Sequence, residues 1–301
     1  MTESPCFRGG VAALLPLLLL TACGGVEAPP ESAYAAKRFS DAVEAPCAHS
    51  VPTRQALFGD LHIHTSHSND AWNFDVRVLP EDAYRYAFGG ALRLPLGDDF
   101  EAREARIDRP LDFAGVTDHA EFLGEQQVCF DEGAAGHDAS FCEVMRSGEG
   151  RAPELVMQIM SPFSKRDPDV CGADGAECAS ASEQTWQGIV AAAERWNDYS
   201  SECERTAFIA YEYSSFRMGS NLHRNVVFRN SAALRRPASY IDVHREWDLW
   251  RILQEQCIDT DTGCDVLAIP HNSNISNGRM FAVDYPGAGS ADEQAARDDP
   301  Q

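Results

Sequence analysis

Four short apolar runs, far apart in the chain, each end in side chains that bind metal. They are Gly59-Asp60-Leu61-His62-Ile63-His64, Leu111-Asp112-Phe113-Ala114-Gly115-Val116 before Thr117-Asp118-His119, Thr206-Ala207-Phe208-Ile209-Ala210-Tyr211 before Glu212, and Val266-Leu267-Ala268-Ile269 before Pro270-His271-Asn272. Each run has the length of a strand, and helix signals or long connections lie between them. In parallel α/β architectures, and above all in β/α barrels, the C-terminal ends of strands gather on one face. Surface histidines placed at random would not fall so regularly at that point. The pattern predicts an α/β fold with a metal site at one mouth.

Within the first run, side chains alternate, so His62 and His64 are expected on one side with Asp60 behind them, and Leu61 and Ile63 on the other. The polar turn Thr65 to Asp70 can swing His67 or Asp70 back over the same spot. An H-x-H pair alone is also what a solvated strand end shows; its repetition downstream is what carries weight. At the second run, Thr117 or Asp118 could equally cap a helix. His223 follows the Gly219-Ser220-Asn221 loop and stands just before Val226-Val227-Phe228.

The 301 residues could hold one large α/β domain or two small ones, and a 44% apolar fraction is ample for a core. Asp and Glu outnumber Lys and Arg 47 to 25, a formal charge of -22. That excludes a protein that tracks nucleic-acid phosphates, which needs surplus cations. No G-x-S-x-G elbow points to a serine hydrolase, and no C-x-x-C pair points to a zinc ribbon or a redox dithiol.

The N-terminus reads as a targeting segment. Arg8 precedes the apolar run Val11 to Leu20, which ends in Leu20-Thr21-Ala22-Cys23-Gly24. This resembles a bacterial lipoprotein signal, residues 1–22, with Cys23 acylated and Gly24 of the outer-membrane-sorted kind; an ordinary secretory signal is the alternative. Export to the cell envelope, outer membrane or periplasm, with a membrane anchor at Cys23, is therefore expected, followed by a tether over 23–53. Ten cysteines less Cys6 and Cys23 leave eight, an even number that reads as disulfides in an oxidising compartment. Short spacings make Cys129/Cys142, Cys171/Cys178 and Cys257/Cys264 the economical pairs, leaving Cys47 with Cys203.

Pro80 to Phe88, with acids at its start and Gly89-Gly90 at its end, predicts a helix. So does 182–199, where Trp186, Ile189, Val190, Ala193 and Trp196 form a core-facing stripe, and so does 242–257, with Trp247, Trp250, Leu253 and Cys257 inward. The charged stretch 94–110 is expected to be irregular. Residues 124–180, with one apolar patch at Leu155 to Met160, suggest a disulfide-tied insertion or lid. The tail 286–301 is expected to be disordered.

Asp60-Leu61-His62-Ile63-His64-Thr65-Ser66, Thr117-Asp118-His119, Glu212, His223 and Pro270-His271-Asn272 together resemble the successive motifs of the PHP (polymerase and histidinol phosphatase) superfamily. More closely they resemble its exported bacterial branch, known only as a family of unknown function. The resemblance runs from about Ala56 to Phe281. It implies a distorted β/α barrel over 54–285 that holds two or three divalent ions. By it, His62 and His64 bind the first ion, Glu212 bridges it to a partner ion held by His223 and His271, and Asp70 and His119 serve the second ion. Asp118 and Glu212 would be the catalytic carboxylates, Asp118 as a group orienting an imidazole. His67 has no counterpart and reads as a surface residue. The family pattern closes with a late Asp-x-His pair, and no histidine follows His271. A C-terminally truncated member, with an incomplete barrel, is the resulting expectation.

Nitrogen and oxygen donors without thiolate suit zinc, manganese or iron. The expected chemistry is hydrolysis of a small phosphorylated substrate by a metal-bound hydroxide. Arg224 and Arg279, each near a proposed ligand in sequence, could hold phosphate oxygens or simply be solvated. Two rivals stand beside this reading. Amidohydrolases also open with H-x-H, but many bridge their ions with a carboxylated lysine, and Lys37 and Lys165, the only lysines, follow no apolar strand. A lipid-anchored protein could also bind metal without turnover.

Overall fold

The computed structural model describes residues 33–40, 42, 44–94, 103–147, 165–216 and 219–281. The signal segment, Cys23, the Leu155 to Met160 patch and the tail 286–301 lie outside them. Nine strands are described: β1 (Lys37–Arg38), β2 (Gly59–Ile63), β3 (Leu92–Leu94), β4 (Arg103–Ala105), β5 (Phe113–Val116), β6 (Thr206–Tyr213), β7 (Arg224–Phe228), β8 (Ala232–Ala233) and β9 (Val266–Pro270). The four apolar runs are thus β2, β5, β6 and β9.

They join β7 in one sheet of order β2-β5-β6-β7-β9. β2, β5 and β6 are parallel, whereas β7 is antiparallel to both β6 and β9. β9 therefore runs in the same direction as β2, β5 and β6. The sheet is mixed, not all parallel, because the loop after β6 turns straight back into β7 and an antiparallel return needs no helical crossover. This reversal is why His223 precedes its strand, while His62 and Glu212 lie near the ends of theirs and His64, His119 and His271 follow theirs. All of them still arrive at one end of the sheet.

β2 and β9, the two outer strands, share no ladder. In a flat sheet four strand spacings would hold them about 19 Å apart. The imidazoles of His62 and His271 nevertheless lie 4.8 Å apart. The Asn225 amide on β7 also donates to the Leu61 carbonyl on β2 at 2.7 Å. The sheet is curled into an open trough, and the closed β/α barrel expected from the resemblance is not formed among the described residues.

The helices are α1 (Asn69–Asn73), α2 (Pro80–Ala87), α3 (Leu123–Phe130), α4 (Ser140–Ser147), α5 (Pro168–Cys171), α6 (Ala176–Trp196) and α7 (Glu246–Leu253), which continues as a π turn over Gln254–Ile258. α2 begins as its sequence dictates, with Pro80 in the first turn and the Asp82 carboxylate accepting from the Leu79 N–H at 3.3 Å. α6 starts earlier than the apolar stripe predicted, since Asp174 accepts from the Ala176 N–H and Cys171–Cys178 ties down the added turn. Its stripe packs as expected: Trp186, Ile189, Val190 and Ala193 bury against Val116, Ile209, Tyr211 and Phe228 on the convex face. Burying Ile189 or Val190 contributes about 1.5–3 kcal/mol each. α7 is shorter than predicted, because Asp242 is held by Arg166 and Arg236 and stays outside the helix.

One further expectation holds and two need correction. The described parts of the 124–180 stretch are disulfide-tied as expected, with helices around a second core of Phe122, Phe141, Met145, Val170 and Ile241, closed by Cys129–Cys142 and Cys171–Cys178. It lacked a legible stripe because disulfides fix here what a periodic apolar face fixes elsewhere. The charged 94–110 stretch is not wholly irregular, since β3 and β4 pair antiparallel from Leu92↔Ala105 to Leu94↔Arg103. Residues 33–53 are not simply a tether: Tyr34 is 1% exposed, β1 pairs with β8, and Cys47 is bonded to Cys203.

The disulfides Cys47–Cys203, Cys129–Cys142, Cys171–Cys178 and Cys257–Cys264 have the partners that spacing suggested. Cys264 is buried in the main core just before β9, and its bond to Cys257 in the π turn fixes where that strand begins. Cysteines 171 and 178 lie near Glu125 at a spacing that could hold a metal, but as a disulfide they offer no thiolate. All eight cysteines are therefore structural, not ligands. They fit a chain that matures in an oxidising compartment. Among the described residues no helix is long and apolar enough to cross a membrane.

Candidate metal centre

β2 does not alternate as its sequence suggests. Its pairing with β5 runs Gly59↔Phe113 and Asp60↔Ala114 but then Ile63↔Val116, so three steps on β2 match two on β5. This bulge carries both Leu61 and His62 to the concave side: a methyl on Gly115 would meet Leu61, Phe208 and Ala210 there, and His62 Nε2 lies 3.7 Å from Glu212 Oε2. Asp60 steadies the bulge by accepting from the His62 N–H at 2.8 Å.

Glu212 stands on β6, the middle strand, with its side chain wholly buried. Around it the imidazoles close a ring. Successive centroids are 4.7 Å apart for His62–His64, 4.7 Å for His64–His119, 5.4 Å for His119–His223, 5.7 Å for His223–His271 and 4.8 Å for His271–His62. His223 Nδ1 is 2.6 Å from Glu212 Oε1, and His64 Nε2 is 2.9 Å from Oε2. Asp70, in the first turn of α1, lies 3.2 Å from His64 Nδ1 and 3.4 Å from His119 Nε2. All seven ligand candidates therefore converge.

His62, Glu212 and His271 form one set of mutually close donors, and His64, His119 and Glu212 another, each within 4.8 Å. Glu212 is common to both sets, and its Oε2 lies 2.9 Å from His64 Nε2 and 3.7 Å from His62 Nε2, so both rings also face one oxygen. The curl of the trough brings His271 beside His62, and the turn after β2 brings His64 beside His119. Imidazole nitrogens and carboxylate oxygens at this spacing fit divalent zinc, manganese or iron.

The electrostatics follow from burial. Desolvation opposes a charge on Glu212, but the His119 ring and the hydrogen bonds of His223 and His64 outweigh it and hold the carboxyl below the usual range. Burial would likewise lower His64, yet its bonds to Asp70 and Glu212 push it up to about 10. For His62 and His223 desolvation prevails and the rings are held toward the neutral, ligating form.

Asp118 has a different task from the one expected. Its two oxygens accept from the Thr65 N–H at 2.5 Å and the Thr65 hydroxyl at 2.7 Å, so it fixes the turn that launches His64 and Asp70 rather than an imidazole. His67 is half-buried, with burial lowering its ring. Arg224 is turned away: its side chain follows the convex face of β7, donates to the Leu222 carbonyl at 3.0 Å and lies over the Trp250 ring. Alternation decides this, since His223 and Asn225 take the concave side. Arg279 does sit at the metal end, held by the Ser220 hydroxyl at 3.3 Å.

Sequence reasoning missed Glu121, Ser214 and Asn225. Ser214 Oγ contacts His119 Nδ1, Glu121 Oε2 is 4.0 Å from the same nitrogen, and the Asn225 amide is 3.1 Å from His62 Nδ1. Each lies two residues beyond a ligand, on His119, Glu212 and His223 respectively, and that period-two step was the available signal.

Neither the curated proteins nor the solved structures contain a match. A family described as "Protein of unknown function (DUF3604)" matches residues 51–299, which includes every ligand candidate. With its ring of imidazoles inside that span, the chain belongs to the DUF3604 family.

Proposed function

We propose that this chain is an exported, metal-dependent hydrolase, a phosphoesterase of PHP ancestry. The observation that carries the reading is the closed ring of five imidazoles about the buried Glu212 carboxylate, with Asp70 joining two of them. His62, His271 and Glu212 would hold one ion, and His64, His119, Asp70 and Glu212 a second. When bound, such ions supply a hydroxide near neutral pH and neutralise charge on a phosphoryl group. The chain's own part is to space the donors, through the bulge at His62 and the Asp118-held turn. A glutamate, not a lysine, occupies the shared position, which favours this reading over the amidohydrolase one. The disulfides support export, and anchoring through Cys23 completes the proposal.

The test is hydrolysis of a generic aryl phosphate by the disulfide-intact protein loaded with zinc, manganese or iron. Turnover that disappears in His62→Ala and Glu212→Ala is the expected result. Stoichiometric metal with no turnover under any of the three would favour a second reading, metal binding without catalysis. Arg224 gives that alternative its one support, since the nearest arginine in sequence faces away from the centre.

A further inference from the structure

Glu121 is 2% exposed and has not been given a role by its sequence neighbourhood. Its Oε1 accepts from two backbone groups, the Ser214 N–H at 3.0 Å and the Tyr240 N–H at 2.9 Å. Its Oε2 is buried without a hydrogen-bond partner and lies 4.0 Å from His119 Nδ1. A buried carboxylate oxygen left bare is costly, so its direction calls for a function. Around His119 Nδ1 stand this oxygen, Glu212 Oε2 at 3.8 Å and the Ser214 hydroxyl in contact. Those surroundings are rich in acceptors.

We infer that Glu121 and Ser214 are positioning residues that keep the proton of His119 on Nδ1, leaving Nε2, 3.4 Å from Asp70 Oδ2, to bind metal. An imidazole ligand has one lone pair to give, and the bond made by its other nitrogen decides which. Glu121 is fixed for this by its two backbone bonds, which tie the end of β6 to the loop at Tyr240. The Ser214 hydroxyl sits on the Nδ1–H itself, and the carboxylate behind it makes the proton's departure from that side unfavourable. Both residues reach the ring by the same step: Glu121 two past His119, Ser214 two past Glu212. The inference rests on the metal-binding part of the proposal above and is independent of phosphate chemistry.

The test uses Glu121→Gln and Ser214→Ala in the intact chain. In Glu121→Gln the amide oxygen keeps both backbone bonds, while its NH₂ replaces the bare oxygen and points a donor at the Nδ1–H. Zinc affinity, read by competition with a chromophoric chelator, should fall about 10–100-fold in each variant, the range for groups behind a ligand. Nitrogen-15 NMR of the zinc-loaded parent should show His119 protonated at Nδ1 and ligating through Nε2, with that signal shifted or lost in Glu121→Gln. A purely structural Glu121 would leave both readouts at parent values, and that result overturns the inference. So does His119 found ligating through Nδ1. Should Glu121→Gln fail to fold, parent-like affinity and spectrum in Ser214→Ala overturn it equally. Because neither readout involves turnover, a protein that hydrolyses nothing still decides the matter.

Discussion

His64 shows how the centre links protons to metal. In the metal-free protein its ring is raised to about 10 by Asp70 and Glu212, despite burial. At about pH 8 it therefore carries a proton, which a ligating imidazole must give up. The sign follows directly: metal uptake at that pH releases a proton, and affinity climbs as pH rises toward about 10. Titration calorimetry in two buffers of different ionisation enthalpy should show a buffer-dependent heat; identical heats would contradict the arrangement. At this scale much was legible. Five of the seven ligand candidates, His62, His64, His119, Glu212 and His271, are announced by residue type and strand-end position, while Asp70 and His223 came from the resemblance. Arg224 was misjudged, since closeness in sequence says nothing about which face of a strand a side chain takes.

At the level of elements, two packings make quantitative demands. α3 crosses α6 so closely that a methyl on Gly124 would come within 2.1 Å of the Cys178 carbonyl. Gly124→Ala should cost at least about 1–3 kcal/mol, because backbone, not a movable side chain, stands in the way. Urea unfolding of the oxidised protein measures it. The segment before β2 makes the second demand. Tyr34 is buried in the main core, its ring lies under Arg236, and its hydroxyl accepts from that guanidinium at 3.3 Å. Tyr34→Ala should lower stability by about 3–5 kcal/mol, as for other buried aromatics. A change below about 1 kcal/mol would mean the segment is the loose tether its Ala, Glu and Pro content suggests. Composition misleads here because one buried aromatic, a two-residue ladder and the Cys47–Cys203 bond anchor a stretch that is otherwise polar.

For the whole molecule, ligands drawn from β2, β5, β6, β7 and β9 mean that metal should brace the trough across its open side. Ions at about 100 times their dissociation constant add about 2.7 kcal/mol to the folded state. For a chain this size that is about 4–5 °C in midpoint. Adding a chelator should lower the melting temperature of the oxidised protein by that amount, and no change would separate the centre from the fold. The sequence by itself determined most of the ligand candidates, the strand cores, the α6 stripe and the cysteine partners. These rest on residue type and short-range periodicity, which act along the chain. Only the tertiary structure decided that β7 runs backwards, that the sheet curls without closing among the described residues, and that a bulge in β2 carries His62 to the concave side. Bulge, curvature and strand direction arise from register against another strand, and no stretch of sequence holds that information alone.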